Sequence, residues 1–293
     1  MNQEKALRFN LSGTELSKEK YNLHLLLQGL SLSQNLLEQS YLVVKSKTKM
    51  TKNERDNFKI YINDIREGSF ESDVIIMMKQ ISGPLLTGIS GLNPKDIWAL
   101  ASNSIKYLLA IFTADKKGER INVNIDNSPN ASVNINSDGN TTNITTTREI
   151  IECAEKIEPT INKSLNMIDE EKGVSSFNLH DQEDNTKSIY LGIKEKDIFD
   201  NRPTLEDEIV EFDGQITQAN FDYMTGKIKV TDPKNSVLKN DVYNFSFVES
   251  NGIEERFRES CSGFVTVKAI KKVFFNTRKL EKDVDSIKIV KII

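Results

Sequence analysis

The sequence predicts an α+β protein, with an N-terminal α/β domain, an inserted apolar helical hairpin and an Asn-rich β ribbon, followed by a C-terminal small β-barrel. Three observations predict this class. Apolar residues recur every three to four positions in residues 15–44 and 148–168, which is typical of amphipathic helices. Two apolar runs lie next to each other in residues 74–113. From residue 188 onward, short alternating segments separated by turn residues are typical of an all-β unit.

The composition favours a soluble globular protein of about two domains. The chain has 293 residues, of which 38% are hydrophobic and 28% are charged. Its formal net charge is −4, so the chain as a whole creates no basic field. Any binding of nucleic acid therefore has to come from a local basic patch.

Few residues in the chain could support catalysis or bind a metal. The two histidines, His24 and His180, lie outside any zinc-protease frame, and no Gly-rich phosphate loop, nucleophile elbow or CxxC pair is present. Cys153 and Cys261 are far apart and fit no metal or disulfide pattern, which favours a reducing cytosol. The first residues contain no apolar segment, so we expect no signal peptide. We predict no enzyme activity, no catalytic residue, no metal and no cofactor.

The N-terminal domain is assigned to residues 1–73. It is expected to contain a short edge strand, a long helix with a kink or break near Gly29, a basic loop, a half-buried strand and the start of a further strand that runs into the apolar hairpin. In that order, these elements span residues 7–12, 15–44, 45–57, 58–65 and 70–78. The basic loop either binds phosphates or anionic lipid headgroups, or is a solvated loop without a ligand.

Residues 74–113 form the predicted apolar helical hairpin, which is also the predicted membrane segment. Its arms, residues 74–92 and 97–113, are close to the minimum of about 17 apolar residues that can cross a bilayer core. On the second arm, small and polar side chains share one helical face, as in a pore-lining helix. The predicted pore or membrane residues are Trp98, Ser102, Asn103 and Lys106. The segment is either a hairpin that inserts conditionally or the core of a soluble helical domain.

Residues 114–187 are predicted to hold the ribbon, an amphipathic helix and an acidic linker. In residues 121–146, Ile and Val alternate with Asn, which predicts two or three short strands. A small isolated hairpin is marginal in water, so such a ribbon needs partner strands from other subunits. We therefore predict a homo-oligomer with a β collar. The alternative is a solvent-exposed low-complexity loop. Residues 148–168 form the helix and residues 169–187 the linker.

Residues 188–293 are predicted to form the small β-barrel. Residues 213–230 are typical of the first hairpin of an OB-like barrel, with a long strand, a turn and Gly226 at the start of the next strand. Near the C-terminus, Lys and Arg surround a Phe pair, as in grooves that bind single-stranded nucleic acid. The predicted oligonucleotide contacts are Lys268, Lys271, Lys272, Phe274, Phe275, Arg278 and Lys279. The alternative is a solvated strand whose Phe residues belong to the barrel core.

Several stretches of the chain together carry a family resemblance. In order they are RFNLSGTELSKEKYNLHLLLQGL, FKIYINDIREGSFESDVIIMM, the apolar hairpin, VNINSDGNTTNITTT and GQITQANFDYMTGKIKV. This arrangement resembles the membrane effector of the Hailong anti-phage system, a family of bacterial defence proteins. The resemblance spans nearly the whole chain.

The resemblance implies a non-enzymatic, homo-oligomeric membrane effector. A partner nucleotidyltransferase would supply single-stranded oligodeoxyadenylate, which binds the effector and holds it inactive. Degradation of this ligand would release the effector to assemble as an ion channel. The protein would be cytoplasmic when inhibited and located at the inner membrane when active. Two other classes stay open. One is a soluble single-stranded nucleic-acid or nucleotide sensor without membrane activity, and the other is an oligomeric scaffold without a small ligand.

Overall fold

A computed structural model shows a mixed α+β protein, which confirms the predicted class. The described residues are 2–17, 20–66, 70–79, 93–125, 130–137, 140–184, 187–234, 238–248, 254–260 and 263–293. The chain forms two compact units, Met1–Asp200 and Asn201–Ile293. The division lies about 13 residues after the predicted start of the barrel at residue 188.

The first unit contains ten strands and five helices among its described residues. The strands are β1 (Asn2–Ser12), β2 (Leu16–Ser17), β3 (Lys20–Tyr21), β4 (Phe58–Arg66), β5 (Phe70–Lys79), β6 (Arg120–Ile125), β7 (Asn130–Ser137), β8 (Asn140–Thr147), β9 (Ser176–Asp181) and β10 (Ser188–Gly192). The helices are α1 (Leu23–Val44), α2 (Lys52–Asn57), α3 (Pro94–Lys116), α4 (Arg148–Leu165) and α5 (Ile193–Phe199).

The central sheet of the first unit has the strand order β10-β9-β1-β5-β4, and all its neighbours are antiparallel. Strand β1, predicted as a short edge strand at residues 7–12, instead lies in the middle of this sheet. Its alternate residues Leu7, Phe9 and Leu11 are fully buried. Helix α1 covers this face, and a side chain at Gly29 would come within 3.1 Å of the Phe9 ring. Glycine at this position therefore allows close helix–sheet packing instead of breaking the helix.

The predicted acidic linker, residues 169–187, contains strand β9. Two apolar residues in it, Phe177 and Leu179, are fully buried and point to the helix side of the sheet. Strand β10, predicted as the first strand of the barrel, pairs with β9 and belongs to the same sheet. The prediction failed here because two apolar residues in a polar run are a weak local signal, and pairing with β1 decides the fold.

Helix α1 begins later than the predicted residue 15. The Asn22 side chain accepts a hydrogen bond from the His24 backbone N–H at 3.1 Å and so caps the first turn. Before this cap, Leu16–Ser17 and Lys20–Tyr21 pair as a short hairpin.

The predicted basic loop, residues 45–57, ends in the short helix α2. Thr51 and Glu54 form a capping box at its start, in which the Glu54 carboxylate accepts from the Thr51 backbone N–H at 2.9 Å. Lys47 Nζ lies 2.6 Å from the same carboxylate. The hydrogen bond from Lys47, followed by those from Thr51, lowers the pKa of Glu54 to about 2 although burial acts in the opposite direction.

Acid is expected to remove the stabilisation that Glu54 provides. Its pKa in the folded protein lies below the ordinary value of 4.5, so this stabilisation is complete above pH 4.5 and is lost as the pH falls towards 2. In the Glu54→Gln variant, the free energy of unfolding should be lower than in the wild type at neutral pH, and the two should converge in acid. Urea unfolding across this range measures the difference. A constant difference at every pH would contradict the assignment.

Only the second arm of the predicted helical hairpin is a helix in the described structure. Residues 74–79 of the first arm belong to strand β5, and residues 80–92 lie outside the described residues. Helix α3 starts with a capping box between Asn93 and Asp96 and has Pro94 in its first turn. It packs against α1, α4 and α5. Within β5, the apolar residues Val74, Ile76 and Met78 are buried because they lie on the core face of an internal strand of the sheet.

An ion cluster connects the start of α3 to the central sheet. Lys5 on β1 is almost fully buried and pairs with Asp181, which is also buried. Burial disfavours the charged form of Lys5, but the hydrogen bonds and charges of Asp181 and Glu183 outweigh this and raise its pKa. The exposed carboxylate of Glu183 lies 2.9 Å from Lys5 Nζ and 3.0 Å from Lys95 Nζ. Lys95 belongs to the first turn of α3, so this carboxylate joins the helix to the sheet.

The Asn-rich ribbon forms a separate three-stranded antiparallel sheet of β6, β7 and β8. Its register aligns Val123 with Val133 and Ile144, and the neighbouring row aligns Asn122 with Asn134. The Ile and Val positions therefore share one face of the ribbon, and the Asn positions share the other.

The second unit is a closed barrel of five strands. They are β11 (Thr204–Asn220), β12 (Thr225–Asp232), β13 (Val242–Phe247), β14 (Phe264–Asn276) and β15 (Glu281–Ile292), and helix α6 (Glu254–Ser260) lies between β13 and β14. The order around the barrel is β11-β12-β13-β15-β14, with β13 and β15 parallel. Its fully buried core includes Phe212, Ile228, Val230, Val267, Ala269, Ile287 and Ile289. Phe257 of α6 adds to this core and contacts Phe245 and Phe247.

Candidate nucleic-acid interface

The basic segment predicted to bind oligonucleotide lies on β14 and on the turn between β14 and β15. Its residues alternate between the inside and the outside of the barrel, so they do not form one surface. Lys271 is only 6% exposed and Phe275 only 4% exposed. The Phe275 backbone N–H donates to Asn201 Oδ1 at 2.9 Å. The two residues are therefore not part of the exposed surface of the folded barrel.

Carboxylates neutralise most of the remaining charge of this segment. Lys268 lies 3.6 Å from Glu211, Lys271 lies 2.8 Å from Glu206, and Lys279 lies 2.5 Å from Asp283. Arg278 is exposed, whereas Lys272 and Phe274 are half-buried. The basic patch that the linear sequence predicts is thus largely cancelled by acidic residues that the fold brings next to it.

A different part of the barrel surface offers an open groove, which we call the barrel groove. It has a volume of about 440 Å³ and lies over strands β12 and β13. Its lining residues are Gln218, Asn220, Thr225, Gly226, Lys227, Asn244, Phe245, Ser246 and Ser286. Among these described residues, none carries a carboxylate. Side-chain amides, hydroxyls and one ammonium group therefore dominate the walls.

The strand register places two rows of polar residues across the barrel groove. Lys227 stands opposite Asn244, which stands opposite Ser286 on β15. In the next row, Ser246 lies between Thr225 and Lys288. Within the part of the chain that the structure describes, no carboxylate forms an ion pair with Lys227, Lys288 or the exposed Lys229. This surface therefore keeps its positive charge, unlike the basic segment on β14.

Aromatic groups flank the barrel groove at the turn between β11 and β12. Tyr223 is 78% exposed at the tip of this turn. Phe221 beside it is partly exposed, and the Arg258 guanidinium lies 4.8 Å from the centre of its ring. An exposed aromatic ring next to unpaired lysines is the combination that single-stranded nucleic acids require.

A close approach of two strands makes the floor of the barrel groove. A Cβ atom at Gly226 would lie 2.1 Å from the Gln218 carbonyl oxygen and 2.8 Å from the Phe245 ring. No side chain fits at this position, so the floor stays open where β12 leaves the turn. The sequence contained a signal for this surface, because Lys227 and Lys229 alternate with the buried residues Ile228 and Val230.

Helix α3 is the candidate for a membrane interaction. Among the described residues, it alone is long and apolar enough to cross a membrane, and 67% of its most apolar window is buried inside the folded chain. Trp98 and Ser102 are 1% and 0% exposed, so these two predicted pore residues lie in the core. Asn103 and Lys106 are exposed. The predicted polar stripe is therefore divided, because Ser102 lies in the core whereas Asn103 and Lys106 face solvent.

Comparison of the chain with protein-family models, curated proteins and solved structures found no match.

Proposed function

We propose that this protein binds single-stranded oligonucleotide in the barrel groove, and that its C-terminal unit is an OB-like barrel. In OB-folds, the ligand surface is formed by the second and third strands and by the neighbouring loops. The barrel groove lies on β12 and β13, which are the second and third strands of this unit. The observation that carries the proposal is this groove, which has Lys227 and no carboxylate among its described lining residues, with Lys229 and Lys288 on the same strands outside the lining.

The chemistry of the barrel groove suits a flexible strand of phosphates and bases. Lys227, Lys229 and Lys288 supply positive charge for phosphate groups, and each contact makes binding more sensitive to salt. Tyr223 offers a face for base stacking, which contributes about 1–3 kcal/mol per base. The amides of Gln218 and Asn244 supply donors and acceptors for base edges. A net charge of −4 does not prevent this, because the field at the groove is local.

We also propose that the bound oligonucleotide restrains a membrane effector. In this account, α3 stays in the protein core while ligand is bound, and its release allows insertion and channel formation by a homo-oligomer joined through the ribbon. The family resemblance suggests oligodeoxyadenylate as the ligand, a partner nucleotidyltransferase as its source and bacterial anti-phage defence as the role. The protein would act without enzyme activity, in the cytoplasm when restrained and at the inner membrane when active.

The burial of α3 favours a second candidate, a soluble single-stranded oligonucleotide sensor. Trp98 and Ser102 lie in the core, and Asn103 and Lys106 already face solvent. An amphipathic core helix of a soluble protein shows the same pattern. The two candidates share the barrel groove and differ only in whether α3 leaves the core.

Purified protein provides a direct test that separates these candidates. We expect an elevated ratio of absorbance at 260 and 280 nm from bound oligonucleotide, which a single-strand nuclease removes. For the effector, nuclease treatment should change the oligomer on sizing and start leakage from dye-loaded vesicles. Ligand removal without leakage would support the sensor. Protein that retains no nucleic acid and does not bind added single strands would contradict both candidates.

A further inference from the structure

One edge of the central sheet carries exposed apolar side chains. Strand β4 is the last strand in the order β10-β9-β1-β5-β4, and its pairing partner among the described strands is β5. Two of its large side chains are unusually exposed, with Tyr61 at 43% and Ile62 at 47%. A sheet edge of this kind is a template for pairing with another strand.

A groove lies beside this edge, on the side of the sheet that α1 covers. It has a volume of about 550 Å³ and is lined by Leu30 and Gln34 of α1, by Met50 and by Ile60 and Ile62 of β4. Helix α1 therefore extends over the edge and leaves space beneath it. A strand added next to β4 would place its alternate side chains in this space, because strand side chains point alternately to the two faces.

We propose that a second copy of this chain occupies this edge, with β4 pairing antiparallel to β4 of the partner about a two-fold axis at Tyr61. Such an axis, normal to the sheet, keeps opposed residues on the same face. Tyr61 then stands opposite itself, Ile60 opposite the partner's Ile62, and Lys59 opposite the partner's Asn63. The paired residues 59–63 are all described, and the regular pairing of β4 with β5 extends through this segment.

We propose a second copy of the chain as the partner because the residues of the β4 edge are complementary to themselves in this register. In this register the exposed Ile62 covers the partner's half-buried Ile60 on the groove side, and the tyrosines meet on the other side. The lysines face amides, so no like charges stand opposite each other, which would destabilise the pair. Moving the axis to Ile62 would instead place Ile60 opposite the partner's Asp64. The Tyr61 register thus matches apolar with apolar residues at positions 60–62, and lysine with asparagine at positions 59 and 63.

This interface is separate from the functions proposed above. It uses neither the barrel groove nor the ribbon, and it joins two central sheets into one continuous sheet of ten strands. Disruption of the β4–β4 interface would leave oligonucleotide binding unaffected. Loss of oligonucleotide binding would likewise leave this dimer unaffected.

Single cysteine variants of the full chain test the register. At the axis, opposed Cβ atoms lie about 4.5–5.5 Å apart, close to the range that a disulfide spans. We expect Tyr61→Cys to give a covalent dimer on mild oxidation. In Asn63→Cys, the two introduced cysteines would be displaced by four residues, or about 13 Å, and should not react with each other. The wild type controls for the native cysteines. Equal cross-linking of both variants, or of neither, would overturn the register.

A charged residue placed at the β4 edge tests the interface without cross-linking. Ile62→Lys should raise the dimer dissociation constant at least tenfold in analytical ultracentrifugation. The matched control is Ile209→Lys on the barrel, where the isoleucine is 54% exposed and belongs to the other unit, and it should leave the constant unchanged. A wild type that stays monomeric at all concentrations, or equal constants for the two variants, would overturn the proposal. Binding of an unrelated peptide at this edge by a monomeric chain would do the same.

Discussion

Replacing Trp98 by alanine is expected to lower the free energy of unfolding of the N-terminal unit by about 3–5 kcal/mol. Trp98 is 1% exposed and lies among the helices of the core, so its removal leaves a cavity as well as losing buried apolar area. Its indole N–H has no hydrogen-bond partner among the described atoms, so the substitution breaks no hydrogen bond and the loss comes from packing. Chemical denaturation followed by far-UV circular dichroism measures the change.

The matched control lies on the same helix. Asn103 is exposed on α3, and its replacement by alanine should change the free energy of unfolding by less than about 0.5 kcal/mol. Similar small effects for both variants would show that α3 is not part of the folded core. That result would contradict the burial of α3 in the restrained state.

Vesicle leakage by the Trp98→Ala variant then distinguishes the two candidate functions. If α3 inserts on release, a weaker core should raise leakage while ligand is still bound. A destabilised variant that leaves vesicles intact with and without ligand would support the soluble sensor and contradict the effector.

Reversing two charges in the barrel groove is expected to have the largest effect on ligand binding. The double variant Lys227→Glu and Lys229→Glu should weaken binding of single-stranded oligonucleotide by about tenfold or more, because two phosphate contacts become repulsive. The dependence of log affinity on log salt should become shallower by about 1.4, or about 0.7 for each lost phosphate contact. Fluorescence anisotropy at several salt concentrations gives both quantities.

Lys268→Glu is the matched control for this experiment. Lys268 is also exposed on the barrel, but it pairs with Glu211 and lies on β14, away from the barrel groove. Its reversal should leave affinity and salt dependence nearly unchanged. A larger loss from Lys268→Glu than from the double variant would place the ligand on β14, where the linear sequence predicted it.

The sequence predicted which segments form helices and strands better than it predicted which strands pair with each other. Strand β1 was recognised from its alternation, but its place in the middle of the sheet depends on β9 and β5, which are more than 50 residues away along the chain. The strand at Ser176–Asp181 was missed because its apolar residues lie in an acidic run. Periodicity describes which face of an element is apolar, whereas the identity of the partner is set by contacts distant in sequence.

The candidate sites show the same limit. The predicted polar stripe grouped Ser102 with Asn103 and Lys106, but Ser102 is buried and the other two are exposed. A water-filled pore and bulk solvent would both account for two exposed polar residues. In the basic segment near the C-terminus, Lys268 and Lys271 form ion pairs with Glu211 and Glu206, which precede them by about 60 residues. These carboxylates neutralise the two lysines. In contrast, the barrel groove forms because β12, β13 and β15 meet, and counting charges along the chain does not show this.

The central claim is that the barrel groove binds single-stranded oligonucleotide, and one titration tests it most directly. Full-length protein, treated with nuclease and repurified, is titrated against a fluorescent single-stranded DNA and against the same sequence as a duplex, at low and at physiological salt. The account predicts saturable binding of the single strand that weakens with salt, and clearly weaker binding of the duplex, whose bases are not free to stack on Tyr223. Equal affinity for both forms, or no binding at low salt, would contradict it.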